Sequence, residues 1–334
     1  QIEKLTEKKS KKLAVTEKTL KLKYLAHGLN AATIDLGSTT IAGHKFGVTA
    51  DVYPIGEVIL QFVKQVKSYG EIEELSDLIE REDCYKCARE LFGDVKKKVE
   101  HCIVNRYETI ELMQPYFIAK IKDKPEKDKQ WITRVLRHIK TPSRQEMADC
   151  MKHALSFEAN DMIVVDYGGS VVFNPVGEFD DAEAMINIAL IQLIALQTYD
   201  ALLDRKLQKA HEDIKLINTE GRKLVPGISE ELNNAMHEIL ETKLTVTDMI
   251  EDVINITKIT GDWFFAKVYD AAGDRFKINE WLANVNRKLA IIESFNTVMT
   301  EKVEAERAFV TNTILLLLEA LVVVLIVLEI VLVL

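Results

Sequence analysis

Two cysteine-containing pairs are the first residues whose types and spacing could do chemistry. Cys84 and Cys87 form a lone CxxC, and Cys150 with His153 forms a CxxH pair sixty-odd residues later. Four soft ligands in two i, i+3 pairs could hold a zinc ion tetrahedrally. The spacing matches no compact zinc module, and both pairs fall within amphipathic helical patterns, where half-buried cysteines ordinarily pack as small hydrophobes. They stand as weak metal candidates, with no cofactor implied. Asp180, Asp181 and Glu183 could bind a cation, but acids at that place more often complement the dipole of a helix start. Gly168-Gly169 sits between two apolar runs and reads as a turn. No GxGxxG, Walker A loop, GxSxG or HExxH occurs. Nothing assembles a nucleophile, a base and an electrophile, so the expectation is a protein that is not an enzyme and has no evident small-molecule substrate.

Glu319 and Glu329 are chemically more pointed. They interrupt the run from Ile314 to Leu334, in which 19 of 21 residues are apolar. A helix of that length spans about 31 Å, matching a hydrocarbon core of roughly 30 Å. A segment apolar on every face predicts a single transmembrane helix, with membrane lipid as its surroundings. An acid at mid-membrane costs about 2.5–3.5 kcal/mol on insertion scales. The two acids lie about 80° apart on one broad helix face. Three readings stay open: protonated carboxyls with Glu329 near the far interface, hydrogen bonds to another helix across an oligomer interface, or a proton or ion path, for which a single span alone offers too few partners. The flanking charges are mixed and give no orientation.

The elements that must position these groups follow from composition and periodicity. The chain has 334 residues, 48% apolar and 28% charged, with 14 Gly and 6 Pro. A sizeable core is available, and disordered, collagen-like and disulfide-framework classes are excluded. The net charge of -9 averages two different pieces. Residues 1–23 carry eight Lys against three Glu, and the rest of the chain is acidic. Lys8, Lys9, Lys11 and Lys12 centre a basic arm over residues 1–21, suited to ribosome, RNA or anionic-lipid contact. Gln1 is not an initiator, so a processed form or fragment is expected.

Residues 22–56 read as the first part of a small β/α head. Residues 57–157 read as a helical insertion, because EVILQFVKQVKSY and three later segments follow the 3.6-residue period. Residues 158–260 hold a β-hairpin at MIVVDYGGSVVFN and a long helix starting at Asp180 or Asp181. From near Asp274 a last helix carries apolar residues in alternating steps of four and three, from Ile278 through Val285, Leu289 and Ile292 to Val310. That seam predicts a coiled coil over 261–313, either packed within the chain or between copies. The fold class expected is therefore α+β and predominantly helical. The long C-terminal coiled-coil helix would end in a transmembrane helix over 314–334.

The second half resembles a known family, the "required for meiotic nuclear division" family, whose shared domain is of unknown function and which has mitochondrial and yeast members. Tyr167-Gly168 followed by Val171, Val172, Phe173 and Asn174 is similar to its hairpin. Ala189-Leu190, Gln192, Leu196, Tyr199-Asp200 and Asp204 resemble its most specific helix. Asp262 with Trp263 to Phe265, then Tyr269, Asn286 and Leu289, resemble its Asp-aromatic, Tyr and Asn-x-x-Leu positions. Leu318-Glu319 and Glu329 resemble its tail, with Ala320 where the family has Trp. The likeness covers residues 160–334. It implies a self-associating, non-catalytic membrane scaffold. By analogy with the mitochondrial member, it also implies an organelle membrane, the mitochondrial inner membrane first, and support of translation through a ribosome tether. The alternatives are another endomembrane with a cytosolic N-terminal domain, a metal-dependent regulator or enzyme on the Cys/His set, or a structural subunit of a large membrane assembly.

Overall fold

The computed structural model describes residues 15–19, 30–53, 56–100, 110–122, 129–220, 240–241, 244, 246–247 and 263–333. The chain is α+β and predominantly helical. It divides into two compact units: Gln1–Thr198 with Met249–Leu282, and Tyr199–Asp248 with Ala283–Leu334.

The first unit opens with four antiparallel strands in the order β1-β2-β3-β4: β1 (Val15–Thr19), β2 (Asn30–Ile41), β3 (His44–Val52) and β4 (Val58–Val63). Strand alternation gives this sheet one apolar face. Ile34 and Ala50 from that face pack with Val95 of helix α2 (Glu82–Val99). Ile41, Phe46 and Val48 pack with Leu75 and Leu78 of α1 (Tyr69–Leu78). Ser68 caps α1 by accepting from the Glu71 N–H, which satisfies one of the otherwise orphaned first-turn donors.

Four more strands form a second sheet in the order β5-β8-β7-β6: β5 (Phe117–Ile121), β6 (Ala154–Leu155), β7 (Met162–Val165) and β8 (Gly169–Phe173). β5 runs parallel to β8, and the other pairs are antiparallel. Its core includes Trp131, Ile132, Val135 and Leu136 of α3 (Lys129–Arg137) and Cys150 at the end of α4 (Arg144–Cys150). Gly169 is required where β5 meets β8, because a Cβ there would lie 2.7 Å from the Phe117 carbonyl oxygen.

The remaining helices are α5 (Asp180–Glu220), α6 (Trp263–Phe276) and α7 (Ile278–Val333). The first five turns of α5 bury residues on nearly every side, including Met185, Ile186, Ile188 and Leu196. Asp180, Asp181 and Glu183 occupy its first turn, as dipole complementation requires.

Several expected elements differ. The stretch 57–157 is not a helical insertion, since β4 completes the first sheet and β5 pairs with the hairpin strand β8. A short apolar run such as VILQFV fits both periods, and here cross-strand pairing with β3 decides. The basic arm is not wholly outside the fold, because Val15–Thr19 pairs with β2. Lys8, Lys9, Lys11 and Lys12 lie outside the described residues. The stretch 261–313 is not one helix: Lys277, with φ 56°, separates α6 from α7. Val285, Leu289 and Ile292 of the seam are buried within the chain.

Candidate functional site

The metal candidates are not brought together. Cys84 and Cys87 pack against the first-sheet cluster of Ile41, Phe46 and Val48. Cys150 is fully buried in the second-sheet cluster with Trp131 and Ile132. Burial, with the nearby Asp166 charge, pushes the Cys150 thiol up to about 12. The Cys84 thiol is also raised, chiefly by burial. Thiolates are the metal-binding form, so both shifts work against ligation. Burial, aided by the Arg275 charge, lowers His153. Among the described residues no group of three or more His, Cys, Asp or Glu is arranged to hold an ion.

The densest polar arrangement in the first unit lies around the turn between β7 and β8. Asp166 begins that turn with its side chain 1% exposed. Arg137, the last residue of α3, grips it with Nε 2.6 Å from Oδ2 and Nη2 3.2 Å from Oδ1. The same guanidinium donates to Asp149 at 2.6 Å and to Glu146, both on α4. Arg275 of α6, with a 4% exposed side chain, donates to Asp149 Oδ2 at 3.1 Å and to the Asp149 carbonyl. Its Nε lies 3.6 Å from Asp166 Oδ1. Tyr116 Oη donates to the Asp166 carbonyl at 3.2 Å.

This clasp joins α3, α4, the hairpin turn and α6. Its electrostatics follow from the geometry. Hydrogen bonds from Arg137 and then Arg275 hold the Asp149 carboxyl down at about 2. The hydrogen bond to Asp166 drives the Arg137 guanidinium further into its charged form, against the effect of burial. Two cations and three carboxylates meet here, and the Arg275 Nε is buried without a hydrogen-bond partner. Tyr167 lies over it, its ring 5.4 Å from the Arg275 guanidinium and half exposed.

Several positions singled out by the family resemblance link elements. Gly168 accepts the Phe117 N–H at 3.0 Å, and Phe173 is buried in the second-sheet core. The Asn174 carboxamide accepts the N–H groups of Val176 and Gly177. Ala189 and Leu196 are buried, and Leu190 is half-buried. Gln192 accepts from the Tyr269 hydroxyl, tying α5 to α6. Trp263 is 63% exposed, unlike buried Phe264. Asp262 lies outside the described residues.

In the second unit, Tyr199 is buried and Asp200 holds Lys288 of α7 at 2.7 Å. Asp204 reaches the same ammonium at 2.6 Å. Burial alone would lower Lys288, but the hydrogen bonds that it donates to Asp200 and Asp204 outweigh it and raise the ammonium. Asn284 donates to Asp200 at 2.9 Å, whereas Asn286 is exposed. α5 and α7 therefore meet inside one chain at this point through these polar contacts.

Further along α7 an apolar stretch is exposed. The window Ala308–Ile326 has a mean hydropathy of 2.5 and none of it is buried. Leu318 is 52% exposed, and Glu319 is exposed on the same stretch. Nothing is described of the Glu329 side chain. Asp180–Lys209 is also long and apolar enough to cross a membrane, but 61% of its window is buried in the fold. Of these two windows among the described residues, the α7 one offers its apolar surface outward.

Among the described residues the fold is α+β and predominantly helical, with ionic joints between its helices and an exposed apolar stretch on α7. The chain belongs to the family described as the N-terminal domain of the uncharacterized protein MJ0711, whose pattern matches residues 1–180. It is 22% identical over 279 residues to the uncharacterized protein MJ0711 of Methanocaldococcus jannaschii, covering 82% of this chain and 78% of that relative. No solved structure matches it.

Proposed function

We propose that the chain is a membrane-anchored, self-associating scaffold in which α7 is the anchor. The observation that carries this reading is the bare window Ala308–Ile326. Nineteen helical residues span about 28 Å, close to a hydrocarbon core of roughly 30 Å. Water would meet a continuous apolar surface there, far beyond the scattered exposed side chains that a soluble fold tolerates. Glu319 lies within the window, where a carboxyl gains from a hydrogen-bonding partner helix. A second copy supplies that partner at the same depth. In this proposal the first unit presents surfaces to a large partner, and the basic residues near the start meet a ribosome, RNA or anionic lipid. The chemistry is recognition rather than catalysis.

The likeness to the meiotic-nuclear-division family supports the anchor and self-association. It is also the sole support for the compartment, the mitochondrial inner membrane, and for a translation role. The MJ0711 relative comes from an archaeon, and the membrane anchor rests on the exposed α7 window without requiring an organelle. A single cysteine placed at Thr313 tests self-association in membranes. Oxidative cross-linking to a dimer that Glu319→Leu reduces several-fold is the expected result. A chain that stays monomeric in membranes overturns the scaffold reading.

A further inference from the structure

We infer that β4 is a second self-association surface, at which the first sheet extends into the same sheet of another copy. This rests on the self-association reading above, since co-anchored copies are already at high local concentration.

β4 is an edge strand. It pairs with β3 from Val52↔Val58 to Gly47↔Val63, and among the described residues no strand lies on its other side. The Tyr53 N–H bonds the Glu57 carbonyl at 2.9 Å. Hydrogen-bonded positions alternate along an antiparallel ladder. Val58, Leu60, Phe62 and Lys64 therefore turn their N–H and C=O groups away from β3. Natural sheets blunt such edges with charges, prolines or bulges. VILQFV has no charge and no proline. The bulge of this sheet lies at Asp35/Gly37 in β2, two strands away. Val63, at the end of the strand, is 60% exposed.

The edge complements itself. A two-fold axis normal to the sheet pairs residues that share a face, so the register centres on one residue. Centred on Gln61, the opposed pairs are Gln61 with Gln61, Ile59 with Val63, Leu60 with Phe62, Glu57 with Gln65 and Val58 with Lys64. No like charges meet, and exposed Val63 gains an apolar neighbour. Centred on Leu60, the Glu57 carboxyl would face Val63 instead. Burial already pushes that carboxyl up to about 8, and one of its oxygens is buried without a hydrogen-bond partner. The Gln61 register gives it an amide instead of a methyl group. An isologous contact of this kind closes on two copies and does not propagate.

The test is disulfide trapping in the full-length chain in membranes. Directly opposed Cβ atoms lie about 4.5–5.5 Å apart at such pairs, within reach of a disulfide after small adjustment. Gln61→Cys should cross-link to itself several-fold more than Lys45→Cys, an exposed collisional control, with the unsubstituted chain reporting the native thiols. Mixing Ile59→Cys chains with Val63→Cys chains should give more dimer than either alone. Thr313→Cys on α7 runs in parallel. Cross-linking at Thr313 without cross-linking at Gln61 or in the Ile59/Val63 mixture refutes the strand contact and leaves the α7 reading standing. Cross-linking at Gln61 but not at Thr313 supports the strand contact and refutes association through α7. Adducts of Gln61→Cys with a different protein overturn the second copy as occupant.

Discussion

Replacing Arg137 by Met should destabilise the first unit far more than an ordinary surface substitution. The Asp166 side chain is 1% exposed and that of Arg137 15% exposed. Removing one partner of a buried pair leaves the other charge uncompensated, at a cost of about 3–5 kcal/mol. Arg275, with Nε at 3.6 Å, is the cation that remains beside Asp166. The outer arms add little, because the side chains of Glu146 and Asp149 are 43% and 48% exposed and such pairs are worth about 0–1 kcal/mol. For a unit of this size each kcal/mol lowers Tm by about 2–4 °C, giving a loss of about 6–20 °C. Trp131 is buried on the same helix as Arg137. Its fluorescence reports unfolding once Trp263 and Trp281 are replaced by Phe. A double-mutant cycle with Asp166→Asn should show coupling of at least about 1 kcal/mol, because the double variant leaves one fewer unmatched charge. Loss of less than about 1 kcal/mol for Arg137→Met, with additive energies in the cycle, would falsify the account of a desolvated clasp.

Two further outcomes follow from single positions. Burial raises the folded-state Glu57 carboxyl from 4.5 to about 8. A raised acid favours the folded state fully below its unfolded value, and that advantage drains away as pH rises to about 8. Glu57→Gln should therefore flatten the decline of stability between pH 5 and 8, measured as Tm against pH; an unchanged slope contradicts the assignment. Gly169→Ala should destabilise by about 1–3 kcal/mol through overpacking against the Phe117 carbonyl. A fully native Tm would mean that β5 yields freely there.

The hairpin at β7 and β8 and the start of α5 were legible because a Gly-containing turn and first-turn acids are local signals. The helical character of the apolar tail was legible for the same reason, since one long, almost wholly apolar run specifies it. β4 was not, because six consecutive residues with five apolar fit either period until a neighbouring strand is present. β5 was hidden for a similar reason: its pairing partner, β8, lies some fifty residues further along. The clasp was illegible for a different cause. Arg275 and Asp149 are 126 residues apart, and Arg137 and Asp166 are 29 apart. Ion pairs carry no periodicity, so only the folded chain reveals which charges meet. Of the positions that the resemblance singled out, Gln192 and Asp200 bond across helices, and on α7 Asn284 rather than Asn286 makes the bond.

The central claim is that α7 holds the protein in a bilayer. Alkaline carbonate extraction of membranes tests it most directly, with the full chain compared against one ending at Arg307. The account predicts that the full chain stays in the membrane pellet and that the shortened chain is released as a folded soluble protein. Full release of the unshortened chain into the carbonate supernatant would contradict it.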